Sequence, residues 1–386
     1  MSDSHSPIYL NISTNTGINS DASLNISNQP SQIIFRNDDA VALDPSQYYL
    51  SLQRALINTA SVPAYIFAIK TGLTQNNINL SPFKIRFEYY NVSQLFIYGL
   101  TEPIIYQSQA IDQIPKAPSQ NGGLQDLDNF YYYVYDVAWM LKIFNDSIKD
   151  TFQTFCANLL SGHGITINPD LYPFYTYDFS ARLFSLNFPI SEFDQNTYPQ
   201  ISFYMDNLSG DLFGCPSNVY FKEKDTNYLM LAYDLYNNTI TYNSLPYYKM
   251  TASENTLSIW CPIKRILFTI TDLPTKLEIE SAFNNTPFEA QQNNSFASIS
   301  RPNLNIFFDL AVNQDDFALN RNYVQYAISS IAESRLVNLG SGNIIRNFDI
   351  SIFWVDTFGN YNKLLSGANT QNNIKLALFS KKTMLL

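Results

Sequence analysis

The chain has 386 residues and a net charge of −10, with 33 Asp and Glu against 23 Lys and Arg. Its longest basic cluster is Lys381-Lys382, too little to neutralise a row of phosphates, which speaks against direct binding to nucleic acid. Charged residues are only 15% while Tyr and Phe number 27 and 28, so the surface is one that associates readily with other protein.

A length above the ~250 to 300 residues at which single cores stop growing predicts two domains. Met1 to Ser20 has neither a basic stretch nor an apolar one, and no apolar run approaches ~18 residues, so neither a signal peptide nor a membrane span is expected. Residues 1–30, rich in Ser, Asn, Asp and Thr, read as a flexible arm that orders in an assembly. The first strand pattern follows Asp44 and Pro45, with Tyr48, Leu50, Leu52 and Leu56 on one face. In the next, Phe83, Ile85, Phe87 and Tyr89 alternate with Lys84, Arg86 and Glu88, which places three charges on the wet side.

The period then changes from two to that of a helix. From Val137, apolar residues recur at Leu141, Phe144, Ile148, Phe152, Phe155 and Leu159, one stripe of an amphipathic helix. Asp126 or Asp128 is a candidate to start it, and Gly162 and Gly164 stop it. Short strands such as Phe184 to Phe188 and Ile201 to Met205 follow, broken by prolines. Two-residue alternation resumes at Leu257 and Ile259. It runs through Leu304, Ile306, Phe308 and Leu310, then Phe348, Ile350, Ile352 and Trp354. A turn over Asp356 to Asn360 leads to a last strand on Ile374, Leu376 and Leu378.

About three strands before residue 103 and five after 255 predict an all-β single jelly roll of eight antiparallel strands with a large inserted α+β domain. The expected divisions are an arm at 1–30, a first jelly-roll part at 31–102, the insertion at 103–255 and a second part at 256–386.

Chemistry has little to work with. The histidines are His5, in the arm, and His163, in the loop-like Ser161-Gly162-His163-Gly164. Cys156, Cys215 and Cys261 are widely spaced and read as reduced core thiols. The carboxylate pairs Asp126 with Asp128, Asp315 with Asp316, and Glu278 with Glu280 read as helix-entry, loop and strand-surface residues. No catalytic residue, cofactor or metal ligand is assigned. Trp260 and Trp354 read as core or inter-subunit packing before any role in stacking on sugars or bases.

Four segments together carry a resemblance. They are Trp260 to Thr269 with Leu273 and Pro274; Tyr131 to Phe155 with Trp139 and Asn145; Pro173 to Tyr175; and Phe348 to Gly359 with Ile374 to Phe379. They are similar to segments of the minor capsid or penton proteins of virophages and related double-jelly-roll DNA viruses, those of Sputnik-type virophages above all. The resemblance implies a single jelly roll that forms homopentamers at the five-fold vertices of an icosahedral virion. Its partners would be further copies of itself and capsomers of a larger major capsid protein, with assembly in the host cytoplasm. The insertion would project from the shell and touch a host or giant-virus surface. Trp260, Pro262, Trp354, Asp356 and Gly359 are the structural and assembly candidates within these segments. The alternative is a glycan-binding jelly-roll attachment protein, with a glycan hydrolase as a third reading.

Overall fold

The protein is described here from a computed structural model. It describes residues 7–384 apart from 16–28, 31, 37–41, 43, 61, 70–78, 92, 94, 110–129, 194–199, 215–218, 224–225, 231–237, 271–272, 274–277, 281–303, 313–322, 329–334, 341–343, 357–358, 360 and 367–370. Regular structure is mostly β, with one long helix and a few short ones. The chain forms two compact units, residues 1–63 with 261–386, and residues 64–260.

Among the described residues the first unit holds two larger antiparallel sheets, besides the short pairing of Gln29–Pro30 with Leu365–Ser366. One runs in the order Ile8–Asn15, Gln371–Ser380, Tyr48–Asn58, Tyr323–Ala327, with Val337–Asn338 also paired to Tyr48–Asn58. The other runs Glu278–Glu280, Leu304–Ala311, Ile263–Ile270, Asn347–Asp356, Tyr361–Lys363, with Gln32–Arg36 also paired to Asn347–Asp356. The Ile8–Asn15 strand corrects the expected arm, because Tyr9 pairs with Ala377 and Ile12 with Ile374 over the full length of the strand. Its Ile8, Leu10 and Ile12 alternate, but the polar residues around them dilute the signal.

Bulges account for two further departures. Arg54 pairs with Lys375 and Leu52 with Leu376, so Gln53 is an extra residue in its strand. The buried face therefore passes from Leu50 and Leu52 to Ala55 and Ile57, and Leu56 leaves it. The second bulge lies where Phe268 faces Phe308 and Thr269 faces Ile306, which turns Phe307 inward as well. Lys381 ties the end of the last strand to its sheet, donating to the Ser46 carbonyl at 2.5 Å and the Leu339 carbonyl at 3.1 Å.

The second unit begins at Ala64 rather than at residue 103, so it takes in Leu80–Tyr90 and Phe96–Ile105. Its two larger sheets run Thr239–Tyr242, Leu245–Thr251, Leu183–Pro189, Phe174–Asp178 and Val219–Glu223, Thr226–Met230, Gln200–Asp206, Leu80–Tyr90, Phe96–Ile105, and Tyr65–Ile66 pairs with Tyr133–Val134. The reason for the early boundary is packing. Phe83 and Phe87 meet Phe144 and Phe152 of the long helix at ring separations of 5.6 and 5.1 Å.

That helix spans Val137–His163. Its N-cap is Asp136, whose carboxylate accepts from the Trp139 amide at 2.6 Å; Asp126 and Asp128 lie outside the described residues. Gly164 closes it in the left-handed conformation at φ 65°, the C-terminal device that glycine permits. Leu257–Trp260 is a helical turn rather than a strand. Leu257 and Trp260, three apart, are therefore buried, and Ile259 is 64% exposed instead of lining the core.

Candidate functional site

The candidate residues sit inside the fold. In the second unit Trp260 is 2% exposed, stacks on Phe184 at 4.9 Å and donates its indole N–H to the Leu212 carbonyl at 2.6 Å. It belongs to a helical turn, not to a strand. Pro262 is buried ahead of Ile263–Ile270 in the first unit. Trp354 is 2% exposed and lies between Ile266 and Asn362 across its ladders. Asp356 is buried at the end of the same strand, and the Gly359 amide donates to its carbonyl at 3.1 Å. Gly359 takes φ 86° with open space where a Cβ would lie, so backbone conformation alone selects glycine there. The two tryptophans fall in different units, and the buried four shape the subunit rather than offer side chains to a neighbour.

What a neighbour can meet is a different set. In the first unit the strands at the two ends of one sheet each carry an exposed tyrosine, Tyr9 on Ile8–Asn15 and Tyr323 on Tyr323–Ala327. The Lys375 ammonium sits 4.4 Å from the Tyr9 ring centroid. In the second unit Leu95 and Phe96 are exposed where Leu80–Tyr90 turns into Phe96–Ile105, and Phe179 where Phe174–Asp178 turns into Leu183–Pro189. Sequence reading passed over these positions because a single exposed apolar residue has no periodic signature.

The titratable groups are arranged for structure. Glu88 corrects the expectation of a wet face: it is 3% exposed, accepts from Arg86 Nε at 2.7 Å, and takes the Tyr90 hydroxyl at 2.5 Å. Arg86 also donates to Thr101 Oγ1 at 2.9 Å. Burial, and next the Glu88 charge, push the Tyr204 hydroxyl far above the usual phenol range. Burial also pushes the Cys156 thiol up to about 12, which keeps it protonated and unreactive. His163, on the last turn of the helix, is exposed with its ring 6.1 Å from that of Tyr98. Among the described residues no cluster of His, Cys, Asp and Glu could hold a metal ion, and no helix is long and apolar enough to cross a membrane. His5, Cys215, Asp315 and Asp316 lie outside the described residues.

Comparison with known proteins gives the arrangement a context. The family model for Sputnik minor capsid protein V18/19 matches residues 8–381. The fold is similar to that of a chain in the cryo-EM structure of the Sputnik virophage. There the TM-score is 0.70 at 19% identity, over 98% of this chain and 99% of that one. It is also similar to the crystal structure of the mavirus penton protein, with a TM-score of 0.56 at 14% identity over 97% and 99%. No curated protein sequence matches the chain.

Proposed function

Because this chain belongs to the Sputnik minor capsid protein V18/19 family, we propose that it is a structural protein that closes the five-fold vertices of a virophage virion as a homopentamer. The observation that carries the reading is the family match over residues 8–381. Strand order supports a single jelly roll in the first unit. Its eight longest strands with several ladder pairs fall as three before the second unit and five after it, shared between two antiparallel sheets. The second unit is then an insertion between the third and fourth of them.

A closed ring needs two different complementary surfaces on each subunit. The exposed Tyr9 and Tyr323, on the two end strands of one sheet, offer such a pair, and low charge around apolar contacts suits interfaces of this kind. The remaining surface of the first unit meets capsomers of a major capsid protein, and the second unit is free to contact a host or giant-virus surface. Assembly takes place in the host cytoplasm, and catalysis has no part in the role.

Light scattering on the purified full chain, with negative-stain images of the same fraction, tests this. A ring of five weighs 5 × 44.1 = 220.5 kDa and shows five-fold views. A stable dimer or trimer contradicts the vertex role.

A further inference from the structure

The sheet that joins Ile8–Asn15, Gln371–Ser380, Tyr48–Asn58, Tyr323–Ala327 and Val337–Asn338 departs from the acidic character of the chain. None of these strands contains an Asp or Glu, although the chain has 33. The other large sheet of the same unit carries Asp309, Asp349 and Asp356 in its strands, and Glu278 and Glu280 in the strand at one end. The only charged residues in the acid-free strands are Arg54 and Lys375.

These two meet. Lys375 pairs directly with Arg54 across the ladder, and the next pair, Ile374 with Ala55, is buried in the core. Side chains alternate along a strand, so Arg54 and Lys375 stand side by side on the outward face. Like charges directly opposite one another are destabilising. Arg54 is exposed and has no ion pair among the described residues, and the Lys375 ammonium has only the Tyr9 ring, 4.4 Å from its centroid. Their neighbours in the ladders are the uncharged Asn11 and Ala327. Tyr9 and Tyr323, 48% and 51% exposed, lie at opposite corners of the same face.

We propose that this outward face docks an acidic segment of a partner protein, whose carboxylates settle on Arg54 and Lys375 and neutralise the opposed pair. Charge complementarity carries the inference. A chain of net charge −10 repels an acidic partner over most of its surface, so a cationic face without acids gives the contact its orientation as well as its affinity. The planar Arg54 guanidinium suits a bidentate carboxylate, and Lys375 offers a second one a point charge. Nucleic acid is a poorer match, because two cations neutralise too few phosphates. A two-fold contact between copies through this face would set the same cations against each other. The inference is independent of the vertex role, since a peptide probe reads the face and the light-scattering mass reads the ring.

Fluorescence anisotropy of labelled decaglutamate titrated with the full chain at low salt tests it, with decaglutamine and an oligothymidylate as comparison probes. Decaglutamate should bind and be released by high salt, and decaglutamine should not bind. Arg54→Gln and Lys375→Gln should each lower the affinity about tenfold, while Arg54→Gln melts at or above the wild type because the opposed charge is gone. Lys264→Gln, at an exposed cation of the other large sheet, should leave binding unchanged. No binding of decaglutamate, an equal loss in Lys264→Gln, or tighter binding of the oligothymidylate each overturns the proposal. So does a light-scattering mass that falls in Arg54→Gln, which assigns the face to a second copy of the chain.

Discussion

Asn145, in the middle of the long helix, replaces a missing neighbouring strand for Tyr175. Its Nδ2 donates to the Tyr175 carbonyl at 3.0 Å, and its Oδ1 accepts from the Tyr175 amide at 2.7 Å. Phe174–Asp178 is the last strand of its sheet, so these two backbone groups face away from the ladder. A side-chain amide carries one donor and one acceptor in the geometry of a peptide, which makes it a substitute for a strand. The contact fixes the helix to the sheet edge and covers part of that edge. Replacing Asn145 by Leu should cost about 2 to 4 kcal/mol in urea unfolding, because two backbone groups lose their partners. Asn145→Asp should also destabilise, since the donor to the carbonyl is gone.

The Arg86 and Glu88 pair gives a second outcome. They lie on the sheet face away from the helix, Glu88 buried and Arg86 half-buried, and removing Arg86 leaves the Glu88 charge without its cation. Arg86→Met should destabilise by about 3 to 5 kcal/mol. Adding Glu88→Gln to it should recover part of that loss, and a double-mutant cycle from denaturant curves measures the coupling.

Two glycines separate backbone strain from packing. Gly164 and Gly214 both take positive φ, at 65° and 62°. A Cβ at Gly164 meets nothing within 4 Å, whereas at Gly214 it meets Thr256 Cγ2 at 2.8 Å and the Glu254 carbonyl at 3.2 Å. Gly164→Ala should cost about 1 to 2 kcal/mol from conformation alone. Gly214→Ala should cost more, and thermal melts of the two variants give the difference.

Glu192 predicts a pH effect with a defined sign. Desolvation raises its carboxyl above the usual range, so the folded state holds the proton more tightly than the unfolded chain. Stability from this group is therefore lost as pH rises from the ordinary Glu value through the folded one. Glu192→Gln should match the wild type at low pH, where both carry no charge, and unfold at higher urea at neutral pH. A neutral-pH midpoint at or below that of the wild type would rule out the desolvation cause.

Tyr323 tests the proposed ring surface. It is 51% exposed on an end strand, so Tyr323→Asp should leave the melting curve of the monomer unchanged. The same charge in a desolvated contact should shift the light-scattering mass from the ring toward 44.1 kDa.

The sequence by itself determined the local patterns: the helix through Phe144 and Phe155, the strand through Phe83 and Phe87, the Gly359 turn and the last strand through Leu376. Each is a period or a turn residue that neighbours along the chain express. It also carried the family, since Trp260, Asn145 and the Phe348 to Gly359 segment lie within the matched residues. Tertiary structure decided which unit each strand joins and which side of it is buried. The Leu80–Tyr90 strand is drawn to the second unit by aromatic packing on a helix more than forty residues later, and Glu88 is buried because Arg86, Tyr90 and Tyr204 enclose it. The bulge at Gln53 flips a buried face that alternation alone assigns to Leu56. Ile8–Asn15 becomes a strand because Gln371–Ser380, at the far end of the chain, presents a free edge for it. Pairing between segments so distant in sequence leaves no local periodic mark, and it is this pairing that sets which edges and tyrosines the subunit shows to its neighbours.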